Sequence, residues 1–183
     1  SPQRTMSSSG SNKMMPQIKH ILYATDLSDG ARTAMEYAVA LANAMEASLT
    51  VIHVIKQTAP NAELLIQAFL GYSSKEEVKQ KSRAKITEEI KKRLWQMCDQ
   101  LGGQLPECRF CLADVIVEFG RPQDLILKHA ETGKYDCLVM NHHDYGLAES
   151  TIAKLSGKTL INQCPIPVLL VPVPHGTETI KEI

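Results

Sequence analysis

A chain of 183 residues, 44% of them hydrophobic, can bury the core of one domain and is short for two. Its 20 lysines and arginines balance 20 aspartates and glutamates, so net charge gives no reason to expect a nucleic acid or a membrane surface as partner. No apolar run reaches the roughly 20 residues that span a bilayer. The odd number of cysteines and the lack of a signal-peptide pattern lead us to expect a cytoplasmic protein.

The first strand and helix are the clearest elements of the sequence. Residues 1–16 are polar and serine-rich, and we expect a disordered leader there. An apolar run over 18–25 predicts a strand buried on both faces, as in parallel sheets. Small polar residues from Thr25 to Asp29 supply turn and capping chemistry for a helix over 29–46. Its apolar residues keep the spacing of one buried face: Ala31, Ala34, Met35, Ala38, Ala42 and Met45.

The next part of the chain is less regular. Residues 49–55 are rich in β-branched side chains and predict the second strand. Residues 57–73 form an apolar insertion with one or two helical turns, which folds over its own core, covers the mouth of a site or contacts a partner. Ser73 and Ser74 each precede a glutamate by three residues, a capping-box signature, and predict one helix from there to Leu101. We expect Glu88–Lys92 and Glu89–Arg93 ion pairs on this helix and a positive φ at the glycines 102 and 103 that end it.

Three strands and two helices complete the domain. We predict strands over 108–119, 135–141 and 166–173, and helices over 121–131 and 147–163. Pro167 and Pro172 lack N–H donors, which places the last strand at a sheet edge. Alternating strands and helices predict an α/β fold, a doubly wound five-stranded parallel sheet with helices on both faces. The domain is expected over 17–174, followed by a flexible tail over 175–183.

A ligand site is expected where the strand order of such a sheet reverses, beyond the carboxyl ends of the strands. The natural switch lies between the first and fourth strands. This placement puts Thr25 and Asp26 opposite Asn141, His142, His143 and Asp144.

Five segments, taken in order, resemble the universal stress protein family. They are Ile-Leu-Tyr-Ala-Thr-Asp-Leu-Ser at 21–28, Val-Ile-His-Val at 51–54, Gly-Arg-Pro at 120–122, Tyr-Asp-Cys-Leu-Val-Met at 135–140 and Cys-Pro-Ile-Pro-Val-Leu-Leu-Val at 164–171. The resemblance implies the strand order 3-2-1-4-5, an adenine nucleotide alpha hydrolase-like fold, and a homodimer paired through the last strand, 166–173. Unpaired groups at an edge strand make that pairing physically sensible.

The glycine motif of the family's ATP-binding branch is missing here. That branch carries Gly-x2-Gly-x9-Gly-Ser/Thr, and the corresponding positions are Asn141, Asp144, Lys154 and Leu155. A carboxylate such as that of Asp144 about 4 Å from a phosphate costs roughly 1–4 kcal/mol. The turn is similar to that of the founding branch, which does not bind ATP.

Asp26 is the retained feature of the ATP branch, where it reaches the adenosine. Its alternative role is to cap the first helix. If a nucleotide binds, the resemblance implies a site formed by Asp26, the backbone of Val54, and Asn141, Asp144, Lys154 and Leu155.

Other chemistry-bearing residues have plainer interpretations. His142, His143 and Asp144 beside Asp26 suit a divalent metal in type, but neighbouring histidines point apart, and we expect polar loop residues rather than a metal site. Cys108 and Cys111 are expected to be strand hydrophobes, the cysteines 98, 137 and 164 to lie in or near the core, and His53 to be a packing histidine.

Three hypotheses about function follow. We expect a cytoplasmic stress-response homodimer that acts through protein contacts, with 57–73 as a contact surface, and does not bind ATP. The alternative is an ATP- or AMP-binding protein with slow hydrolysis or self-phosphorylation. The third is a metal-dependent enzyme, for which the sequence offers no catalytic arrangement.

Overall fold

The computed structural model describes residues 14–56, 62–141 and 160–172. In chain order the elements are β1 (His20–Thr25), α1 (Asp29–Met45), β2 (Ser48–Ile55), α2 (Ala62–Leu70), α3 (Lys75–Gln80), α4 (Arg83–Gly103), β3 (Cys111–Phe119), α5 (Pro122–Ala130), β4 (Cys137–Asn141), α6 (Leu160–Gln163) and β5 (Val168–Val171).

The five strands form one parallel sheet in the order β3-β2-β1-β4-β5, which confirms the predicted fold. The register pairs Ala24 of β1 with Ile52 of β2 on one side and Met140 of β4 on the other. β5 is an edge strand, as its flanking prolines predicted. Pro167 lacks a donor but accepts a hydrogen bond from the Leu138 N–H at 2.9 Å, and within the described residues β5 pairs with β4 alone.

Two apolar layers cover the two faces of the sheet. Ile21, Tyr23, Val51 and Val139 point to one face, which α1 and α4 cover. Leu22, Ala24, Ile52 and Met140 alternate to the other face, which α5 and α6 cover. A hydrogen bond also joins α1 to the sheet, because the buried Tyr23 hydroxyl donates to the Ala31 carbonyl at 2.6 Å.

The single helix predicted from Ser74 to Leu101 is wrong, because two helices lie there. The capping box is present: Ser74 Oγ accepts from the Glu77 N–H at 3.2 Å, and Glu77 Oε2 accepts from Ser73. A second serine, Ser82, caps α4 by accepting from the Lys85 N–H, and Lys81 before it is extended. Val78 and Ile86, eight residues apart, stay in the same helical phase across the break. The apolar pattern of the sequence therefore did not reveal that the helix is interrupted.

Two details of α4 also correct the sequence prediction. Gly102 and Gly103 do not adopt positive φ; the helix continues through both and ends on Gln104 in a right-handed conformation. A Cβ at Gly102 would meet Cys108 and Phe110 at 3.5 Å, which is ordinary van der Waals contact, so packing does not require glycine at this position. The expected Glu88–Lys92 and Glu89–Arg93 pairs are wrong, because Lys85 pairs with Glu88 at 3.5 Å and with Glu89 at 3.8 Å.

The remaining boundaries are close to prediction. β3 begins at Cys111, three residues later than predicted. Of the predicted helix over 147–163, the described residues contain α6 alone. No helix in the described ranges combines the length and apolarity needed to cross a bilayer.

Candidate functional site

The predicted switch point is present at the carboxyl edge of the sheet. The chain runs from β1 to β2 and β3 on one side, and β4 and β5 lie on the other. Since Ala24 pairs with Met140, Thr25 and Asn141 end the two strands side by side. The structure therefore brings together Thr25, Asp26, His53, Val54 and Asn141 at one edge.

Asp26 holds the turn between β1 and α1. Its Oδ1 accepts from the Ser28 N–H at 2.9 Å and from the Ser28 hydroxyl at 2.6 Å. Leu27, between them, has a φ of 65°, a left-handed conformation that costs roughly 1–2 kcal/mol outside glycine. Burial of the Leu27 side chain and a hydrogen bond from its N–H to Thr25 Oγ1 at 3.2 Å offset that cost.

The prediction that Asp26 caps α1 is therefore wrong, because its carboxylate binds Ser28 instead. The N-cap residue of α1 is Ser28, whose own side chain makes no capping hydrogen bond. Asp26 fixes Ser28 in an extended conformation and binds none of the helix N–H groups through the bonds described. The short polar run Thr-Asp-Leu-Ser signalled a turn but not which atoms close it.

His53 is the packing histidine that the sequence predicted. Its side chain is buried, and Nδ1 lies 2.8 Å from the Thr25 carbonyl. A carbonyl only accepts, so Nδ1 carries the hydrogen and Nε2 is unprotonated in the neutral ring. Burial lowers the pKa of His53 from its ordinary 6.5, against the opposing effects of the Thr25 carbonyl and the Asp26 charge. The imidazole thus links the ends of β1 and β2.

We expect His53 to make stability depend on pH below 6.5. Because its folded pKa is lowered, the unfolded chain takes up a proton there that the folded chain does not. The free energy of unfolding should therefore fall as pH drops from 6.5 toward the folded pKa, with a slope of at most about 1.4 kcal/mol per pH unit.

Urea unfolding of the wild type and of a His53→Gln variant between pH 5 and pH 8 measures this. The glutamine amide can still donate to Thr25 but does not titrate, so its pH slope should be the smaller one. Equal slopes would contradict the assignment.

Val54 and Asn141 occupy opposite faces of the sheet. Val54 packs in the layer under α5, with Ile52 and Met140. Asn141 is fully buried, and alternation along β4 places its side chain on the α1 face, with that of Val139. Among the described residues its amide oxygen and nitrogen have no hydrogen-bond partner, which is costly for a buried amide. The predicted site residues Asp144, Lys154 and Leu155, and the histidines 142 and 143, lie outside the described residues.

The cysteine predictions are partly wrong. Cys108 and Cys111 are exposed: Cys108 precedes the strand and Cys111 is the first residue of an edge strand, where solvent reaches one side. Cys98 and Cys137 are buried as expected, and Cys164 is half-buried. Burial raises the pKa of the Cys98 thiol to about 12, so it stays protonated. Among the described residues, no group of three side chains could hold a metal ion.

Two arrangements were not predicted. His129 of α5 lies with its Nε2 2.7 Å from Glu118 of β3, and a cavity opens between α1, α2 and α4 beside Arg32 and Arg93. Neither has a short sequence signal, because each joins elements whose contact depends on packing. The only signal was indirect: helical spacing places each arginine next to the buried face of its own helix, α1 or α4.

Comparison with known proteins gives consistent results. The model of the universal stress protein family matches residues 17–172. Universal stress protein MJ0577 of Methanocaldococcus jannaschii is 26% identical over 162 residues, covering 86% of this chain and 97% of that protein. Its solved structure superposes with a TM-score of 0.56 at 24% identity, over 86% of this chain and 97% of that one.

Two further solved structures share the fold. Universal stress protein UspA from Lactobacillus plantarum matches with a TM-score of 0.52 and 17% identity, over 86% of this chain and 99% of its own. A universal stress protein in complex with cAMP matches with a TM-score of 0.52 and 19% identity, over the same shares.

Proposed function

The chain belongs to the universal stress protein family, and we propose that it is a cytoplasmic stress-response homodimer that acts through protein contacts and does not use ATP. The observation that carries this proposal is the surface of α2. Seven of its nine residues are apolar, yet Ile66 alone is buried. Leu64 and Leu65 are 43% and 39% exposed. We take these neighbouring leucines as part of a contact surface, since contiguous exposed apolar patches mark sites of protein interaction.

Contacts with the rest of the domain hold α2 in place. Glu63 at its first turn lies 3.7 Å from Lys79 of α3, and the Arg93 guanidinium lies over the Phe69 ring. Ile66 enters the core layer beneath α1 and α4. A helix fixed in this way presents its leucines without first having to order, which favours binding.

The edge strand β5 supports the dimer. It pairs with β4 on one side, and within the described residues nothing pairs with its other side. Leu169 on this strand is 38% exposed. The edge of a second copy would satisfy the unpaired backbone groups and cover Leu169. The five cysteines, all within the described ranges, are thiols, in keeping with the reducing cytoplasm.

A nucleotide-binding function is the second candidate. Asp26 stands half-buried at the switch point, and its hydrogen bonds to Ser28 use Oδ1 and leave Oδ2 to a ligand. One relative of the same fold was solved in complex with cAMP. Against this candidate stand the four positions of the missing glycine motif, which carry Asn141, Asp144, Lys154 and Leu155.

We expect the exposed leucines of α2 to carry partner binding. In affinity capture from lysate of stressed cells, Leu64→Glu with Leu65→Glu should lower the amount of recovered partner at least about tenfold. Two leucines that become buried in the complex contribute more than the roughly 1.4 kcal/mol that a tenfold change requires.

Tyr37→Glu is the matched control, because Tyr37 is exposed on α1, outside α2. Circular dichroism should show both variants folded. Recovery of the same proteins in the same amounts by the double variant would contradict the proposal.

A further inference from the structure

A cavity of about 250 Å³ opens between α1, α2 and α4. It lies on the face of the sheet that α1 covers, whereas Val54 packs on the opposite face. Its floor is apolar and its rim is charged. The floor includes Ala31, Met35, Leu94 and Met97, and the rim carries Asp29, Arg32 and Arg93.

Arg93 is prepared to bind an anion. Its guanidinium lies 5.2 Å from the centroid of the Phe69 ring, which also lines the cavity. Glu89, its expected partner, pairs with Lys85 instead, and no carboxylate of the described residues lies within ion-pair distance of Arg93. A cation–π contact of this kind occupies no N–H donor in a conventional hydrogen bond, so the guanidinium donors remain available to a carboxylate.

Arg32 adds a second donor at the same rim. Its Nε lies 3.5 Å from Glu36 Oε1, but both side chains are largely exposed, so this pair is weak. Among the residues that line the cavity, two arginines and one aspartate give the rim a net positive charge above an apolar floor. A negative group with an apolar body complements that arrangement in charge and in hydrophobicity.

We propose that this cavity binds a small free carboxylate with a short aliphatic body. The carboxylate contacts the N–H groups of Arg93 and Arg32, and the aliphatic body packs on Met35, Leu94 and Met97. The volume is slightly below that of typical ligand pockets, which limits the body to a few carbon atoms. The Phe69 ring of α2 lines one wall, so part of the insertion between β2 and α3 covers the site.

Titration of the full chain with sodium hexanoate, followed by amide chemical shifts, tests the proposal. We expect saturable changes in the amide chemical shifts of Ser28, Leu94 and Met97, which all line the cavity. Hexylamine, which carries the opposite charge, should cause none. Arg93→Gln should weaken binding about tenfold, the usual effect of losing a charge-assisted pair. Arg83→Gln is the matched control, because Arg83 stacks on Phe119 at 4.9 Å but does not line the cavity.

A second variant separates the cavity from the arginine. Ala68 is exposed at the rim, and Ala68→Phe should fill the entrance and abolish binding with both arginines intact. Equal affinity of the wild type and Arg93→Gln would overturn the proposal. So would binding of hexylamine, unchanged binding by Ala68→Phe, or no saturation up to about 20 mM hexanoate, beyond which affinity is too weak to indicate a site.

Discussion

Leu169→Lys is expected to convert the proposed dimer into a monomer. In a symmetric pairing of two β5 edges each substituted position faces the partner's edge, so the lysines put like charges close together and remove apolar contact. Lysine on an edge strand is also a common natural barrier to edge pairing. Dimer affinity should fall by at least about tenfold. Leu169 is 38% exposed, so the monomer's fold should survive.

Light scattering after size exclusion measures the outcome. The wild type should have twice the chain mass of 20.3 kDa, and Leu169→Lys should have the chain mass at the same concentration. Tyr37→Lys is the control, since it adds the same charge at a 57% exposed position of α1. A dimer that withstands Leu169→Lys would place the interface away from β5.

A second large effect is expected from substitutions in the segment that follows β4. The wild type should give no heat with ATP in calorimetry and release no adenine nucleotide on denaturation. Asp144→Gly with Lys154→Gly and Leu155→Ser restores most of the glycine motif. This removes a negative charge from a position where the ATP-binding branch of the family has a glycine, so ATP affinity should rise at least about tenfold.

Asn141 is kept in that variant, because alternation along β4 places its side chain on the face of the sheet that α1 covers. Asp144→Asn alone is the control: it removes the charge without restoring the glycines, and should give a smaller gain. ATP that co-purifies with the wild type would instead support the nucleotide-binding candidate. In that case Asp26→Ala should weaken the binding.

The fold was readable from sequence because its signals are local. Buried apolar runs marked β1, β2 and β4, and the prolines beside β5 marked an edge. The break between α3 and α4 was not readable, because Val78 and Ile86 stay in helical phase across it. Serine at position 82 was the only local sign, and serines also occur within helices.

The site was readable in position but not in detail. The strand order placed Thr25 beside Asn141 correctly, since topology alone fixes which strand ends meet. The contact of Arg93 with Phe69 was not predictable, because it depends on how α2 packs against α4. Glu89 offered Arg93 an equally plausible partner four residues away, and local spacing cannot decide between the two.

The turn at Asp26 bears on how branches of this family are told apart. The Asp26 carboxylate binds the backbone and the hydroxyl of Ser28 across the left-handed Leu27, and so closes the turn. Selection for a correctly folded turn would then preserve an aspartate here in proteins with and without a nucleotide. The presence of Asp26 therefore does not by itself indicate that a chain of this fold binds a nucleotide.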